Sequence, residues 1–131
     1  MLEVGGVYAF SYLWAWQKEK GEESGRKTRP ACLLVKARAP SQALYLFPIT
    51  TAQPDLARLA LLIPQQEIAR AGIDKKSWII LDECNQTLAN QSYDFESLRP
   101  IGSFSAAFLH QVARVIKAGA QEQRITTVPR S

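Results

Sequence analysis

The chain has 131 residues, 47% of them hydrophobic and 21% charged, a composition that fits one globular domain with a single core. Sixteen Lys and Arg against twelve acids leave a net charge of +4, which inclines the surface toward an anionic partner without naming one. No apolar run reaches the ~20 residues of a spanning helix, MLEVGGVYAF lacks the plan of a secretion signal, and two cysteines with one histidine cannot complete a four-ligand zinc site.

Those exclusions point to a cytoplasmic protein with no metal, no other cofactor and no membrane partner. Cys32 and Cys84 lie inside apolar segments and read as buried, reduced thiols. In chain order, 7–16 (VYAFSYLWAW) is aromatic and extended in character and predicts a long first strand. Residues 17–28 (QKEKGEESGRKT) form a charged loop with two glycines. ACLLVKA and ALYLFPITT predict the second and third strands, joined across the turn-like RAPSQ.

ALLIP at 60–64 predicts a short strand that Pro64 confines to an edge or an end. PQQEIARAG then reads as a short helix, with Pro64 near its first position and Gly72 as its stop. SWIILDE is an almost unbroken apolar run suited to a central strand, and SLRPIG offers a sixth. From Ser105 the period changes: Phe108, Leu109, Val112, Val115 and Ile116 share one helical face. Ser103 or Ser105 can cap that helix and Gly119 can end it. The fold expected is α+β, mainly β: a small antiparallel barrel over residues 1–119, with a loose polar tail at 120–131.

No phosphate-binding loop, dinucleotide fingerprint, nucleophile elbow or HExxH is present, which removes the larger enzyme classes. His110 falls on the polar side of the last helix and reads as a solvated imidazole. Arg29, at the entrance to the second strand, is held by Pro30, and Thr50 ends the third strand. A hairpin turning at 38–41 would set these two side by side at its open end. A guanidinium fork beside a hydroxyl suits a phosphate, although the same pair can equally serve as a structural sheet edge.

GVY at Gly6–Tyr8, YLW at Tyr12–Trp14, GRKTRP at Gly25–Pro30, PIT at Pro48–Thr50 and SWIIL at Ser77–Leu81 occur in this order. Together they resemble the PemK/MazF toxins of type II toxin–antitoxin pairs, and the PemK-like plasmid-maintenance branch in particular. The resemblance runs from about Gly5 to Lys117. It implies an SH3-like (PemK/MazF/CcdB-type) barrel, a homodimer, an antitoxin partner, and metal-independent cleavage of single-stranded RNA by attack of a ribose 2′-OH. On that resemblance the catalytic arginine corresponds to Arg29 and the threonine to Thr50, with Thr51 the adjacent alternative. The loop acid corresponds to Glu23, with Glu22 beside it. Arg26, Lys27, Lys18 and Lys20 would track phosphates, or would be solvated charges balanced by the loop's glutamates. Trp14, Trp16 and Tyr12 would stack on unpaired bases, or pack in the core. The rival expectation is a non-catalytic module on the same barrel, aimed at a protein target such as DNA gyrase or acting as an adaptor.

Overall fold

The computed structural model describes residues 2–25, 27–90 and 93–130. Its elements are β1 (Gly6–Phe10), α1 (Ala15–Glu19), β2 (Arg29–Lys36), β3 (Ala43–Thr50), β4 (Ala60–Leu62), α2 (Gln65–Arg70), β5 (Trp78–Ile80), β6 (Glu83–Leu88), β7 (Gly102–Ser103), α3 (Ala106–Gln121) and β8 (Thr126–Pro129). The strands form one curled, mainly antiparallel sheet in the order β4-β5-β3-β2-β1-β7, with β6 also on β3 and β8 on β6. Among the described residues only the β6–β8 pair is parallel. This is the α+β, mainly β barrel-type fold that the sequence predicts, curled into a half-barrel.

β3 is the corner of the half-barrel. On the edge away from β2, its first half (Ala43–Leu46) pairs with β6 and its last two residues (Ile49, Thr50) pair with β5. Pro48 stands between the two sets of partners, where a residue with no N–H leaves no ladder donor unmade.

Strict alternation divides the side chains of β1, β2 and β3 between two clusters. Val7, Cys32, Phe47 and Ile49 join Ile63, Ile79, Leu81, Phe104, Phe108 and Val112 under α3. Tyr8, Phe10, Ala31, Leu33, Leu44 and Leu46 face the other way, with Tyr12 and Phe95. Ser105 caps α3, accepting from the Phe108 N–H at 3.2 Å. The Ser105 hydroxyl in turn donates to the buried Glu67 carboxylate at 2.6 Å.

Four expectations need correction. The first strand stops at Phe10, and Ala15–Glu19 turns helical because Gln17 Oε1 accepts the Trp14 N–H (2.9 Å) and so caps the turn. Residues 83–88, expected only as the exit of the fifth strand, form a strand of their own. Gly119 does not end α3, which runs on to Gln121. It is a glycine because a Cβ there would stand 2.8 Å from a Leu59 methyl. The segment 120–131 is not a loose tail: Thr126–Pro129 completes the sheet and Arg130 is buried.

Candidate functional site

The site lies at the open end of the β2–β3 hairpin. Ala31 pairs with Pro48, and the same register carried two residues outward sets Arg29 across from Thr50. Arg29 pairs on its other side with Phe10, the last residue of β1. Alternation puts Arg29 and Thr50 on the aromatic face, beyond Ala31 and Leu46.

Just past Phe10 the chain supplies Tyr12 and Trp14, whose rings meet edge to face with centroids 5.1 Å apart. The Arg29 guanidinium lies over the Trp14 ring at 5.1 Å, a cation–π arrangement strengthened by partial burial. Arg29 Nε is buried with no hydrogen-bond partner. Burial lowers the Arg29 pKa, with Tyr12 acting in the opposite sense. The result is a partly buried cation whose Nε donor is unspent.

Trp14, Trp16, Thr50, Pro54, Asp55 and Arg58 line an open cleft of about 230 Å³. Trp16, on α1, is 44% exposed, and Lys20 Nζ sits 5.6 Å from its ring. Thr50 Oγ1 accepts the Ala52 N–H at 3.1 Å. That bond uses one lone pair and leaves the hydroxyl hydrogen free to turn toward the cleft.

Behind the cleft is a polar network with no local sequence signal. Glu83, only 4% exposed, accepts from Tyr12 Oη (3.1 Å), from the Ala15 N–H (2.9 Å) and from Arg58 Nη2 (2.9 Å). Arg58 also clamps Asp82 through Nε and Nη2, at 2.6–3.0 Å. The Asp82 hydrogen bond leads in raising the Arg58 pKa, against the opposing effect of burial. Burial, followed by Glu83, raises the Tyr12 pKa well above the ordinary phenol value, so Tyr12 is a neutral donor.

The structure therefore brings Arg29, Thr50, Trp14 and Trp16 to one end of the sheet. Thr51 lies past the end of β3 and is exposed. Glu23 is exposed and Glu22 half-buried on the loop after α1, which doubles back so that the Glu22 N–H reaches Gln17 O at 3.1 Å. Gly25 then packs against the β1 exit so closely that a Cβ would stand 2.5 Å from Tyr12 O. No hydrogen bond or ion pair ties Glu23 to the cleft among the described residues. Lys18 and Lys27 are exposed, and Arg26 lies outside the described residues. His110 is exposed on α3, away from the cleft lining.

No protein-family profile matches the chain, and no curated protein sequence does. Its fold nevertheless matches a solved structure described as an endoribonuclease in complex with its cognate antitoxin, from a mycobacterial species. The superposition has a TM-score of 0.61, covers 92% of this chain and 95% of that one, and aligns residues at 10% identity. The likeness shows the fold: this chain has the curled half-barrel of that toxin-type endoribonuclease.

Proposed function

We propose that the protein is the toxin of a type II toxin–antitoxin pair and cleaves single-stranded RNA without a metal. The observation that carries this reading is the pairing of a partly buried, under-bonded guanidinium (Arg29) with a free hydroxyl (Thr50) at the rim of a tryptophan-lined cleft. Unpaired bases stack on exposed aromatic rings, and Trp16, 44% exposed, lines the cleft with Trp14. A scissile phosphate between Arg29 and Thr50 receives planar donors from one and a single O–H from the other.

The reaction is attack of a ribose 2′-OH on the adjacent phosphorus. The new P–O2′ bond forms as the P–O5′ bond breaks, leaving a cyclic 2′,3′-phosphate and a 5′-hydroxyl. Arg29 stabilises the added charge of the phosphorane with donors it has not spent on the fold, and assists the delivery of a proton from solvent to the departing O5′. Thr50 aligns the attacking hydroxyl or a non-bridging oxygen. Glu23 is the proposed acceptor of the 2′-OH proton, with Glu22 the alternative, on the resemblance alone. Lys18, Lys27 and Arg26 add salt-dependent attraction along the strand. The neighbour was solved with its cognate antitoxin, which supports an antitoxin as partner here; a homodimer in the cytoplasm completes the proposal.

Induced expression with growth and RNA integrity followed together tests the reading. Wild type should arrest growth and fragment RNA, whereas Arg29→Ala and Thr50→Ala should do neither. Loss of one preorganised donor lowers the rate roughly 10²–10³-fold. Growth arrest with intact RNA would instead favour a protein target for the same barrel.

A further inference from the structure

Arg130 is the feature of the molecule that stability alone explains least. Its side chain is 2% exposed, yet it is held by three separate parts of the chain. Nη2 donates to Asp94 Oδ1 at 2.7 Å, Nη1 donates to Asn85 Oδ1 at 3.1 Å, and Nη1 also donates to Ser11 O in a short contact. The guanidinium carbon lies 5.9 Å from the Phe10 ring. An ion pair serving the fold needs only Asp94. Of the other two contacts, Ser11 O is on the segment that leaves β1 for the cleft, and Asn85 is the residue of β6 that holds that segment.

Asn85 is fully buried and grips that segment directly. Its Oδ1 accepts the Leu13 N–H at 2.8 Å and its Nδ2 donates to Leu13 O at 2.7 Å. One amide thus meets both backbone groups of Leu13, as a neighbouring strand would. An amide can do this in only one of its two flips, and the donor from Arg130 to Oδ1 reinforces that flip. The next residue is Trp14. The Arg29 guanidinium lies over the Trp14 face at 5.1 Å while its Nε has no hydrogen-bond partner, so a shift of Trp14 moves the surface on which that guanidinium rests.

We propose that Arg130 is a positioning residue for the cleft, acting through Asn85 and Leu13 to place Trp14 and, through Trp14, Arg29. The placement stands on geometry alone; its consequence for RNA cleavage rests on the function proposed above. Displacing a catalytic group by about 1 Å lowers turnover on the order of 10²-fold, so loss of the clamp should lower kcat by roughly ten- to a hundredfold.

The test uses the full chain with Arg130→Ala and Arg130→Lys. Lysine keeps a positive charge but has a single nitrogen, so it cannot hold Asp94 and the Ser11–Asn85 pair at once as the two nitrogens of the guanidinium do, and it serves if the alanine variant fails to fold. The control is Glu67→Gln, which weakens a buried tie of α3 remote from the cleft. The first readout is the three indole N–H signals in ¹H–¹⁵N spectra, assigned from single Trp→Phe variants; the second is kcat and KM on a single-stranded RNA oligonucleotide. The Arg130 variants should shift the Trp14 indole selectively, leave Trp78 in place and lower kcat, whereas Glu67→Gln should lose stability with neither change. An unmoved Trp14 signal, or equal shifts of all three indoles, overturns the placement. A selective Trp14 shift with unchanged kcat overturns the link to catalysis. If wild type cleaves no RNA, the proposed function fails, and the indole signals still decide the placement.

Discussion

The two faces of the central sheet are built from the same three strands and end differently. The face under α3 is mostly aliphatic, with three phenylalanines, and is closed by a helix whose Phe108 and Val112 are buried in it. The opposite face is aromatic and closed by loop segments, and at the β2–β3 end its apolar side chains give way to Arg29, Thr50 and, behind them, Glu83 and Asn85. A helix with a matching apolar stripe can seal a sheet completely. Loops bring their own backbone polar groups, which must be paired, and here buried polar side chains do the pairing. Stability should therefore be concentrated under α3 and chemistry at the rim of the other face.

Cutting Phe108 back to Ala should break the first half of that contrast. A large cavity under α3 costs about 3–5 kcal/mol, read as a lower denaturant midpoint, while RNA cleavage per folded molecule should stay near that of wild type. Arg29→Ala should behave in the reverse way. A smaller effect concerns pH. Burial pushes the Cys84 thiol up to about 11, with the Thr127 hydroxyl pulling the other way, whereas an unfolded thiol titrates near ~8.5. The folded state keeps this proton longer, so the stabilisation is complete below about 8.5 and is lost as the pH rises toward 11. Between pH 8 and 10.5, Cys84→Ala should remove about 2 kcal/mol of the wild type's loss of stability. The smallest effect is at the helix cap: Ser105→Ala should cost about 1 kcal/mol by thermal unfolding, with no change in cleavage.

The parts of the molecule legible in the sequence are those whose signal is local. Alternation through ACLLV and ALYLF marks two strands, and the stripe from Phe108 to Ile116 marks α3. The facing of Arg29 and Thr50 follows from counting outward from a turn at 38–41, though the count holds for a reason it does not contain. The pairing is Lys36 with Leu44 near the turn and Ala31 with Pro48 at the open end, and a one-residue irregularity between Leu33 and Val35 reconciles the two.

What was illegible depends on distant partners. The aromatic run to Trp16 looks like strand, but QKE that follows favours helix and Gln17 caps it. ECNQTL looks too polar for a buried strand until Glu83 meets Tyr12 and Arg58 and Asn85 meets Leu13, contacts spanning 25 to 72 residues. Arg130 sits in a polar tail and meets Ser11 across 119 residues. In that tail only the β-branched run ITTV hinted at a strand.

The central claim is that Arg29 performs metal-independent chemistry on RNA. Its most direct test is incubation of purified wild type and Arg29→Ala with an end-labelled single-stranded RNA in excess chelator, with the product termini analysed. The account predicts cyclic 2′,3′-phosphate and 5′-hydroxyl ends from wild type, and a rate reduced roughly 10²–10³-fold from the variant. Equal cleavage by both proteins, or 5′-phosphate products that vanish when the chelator is added, would contradict it.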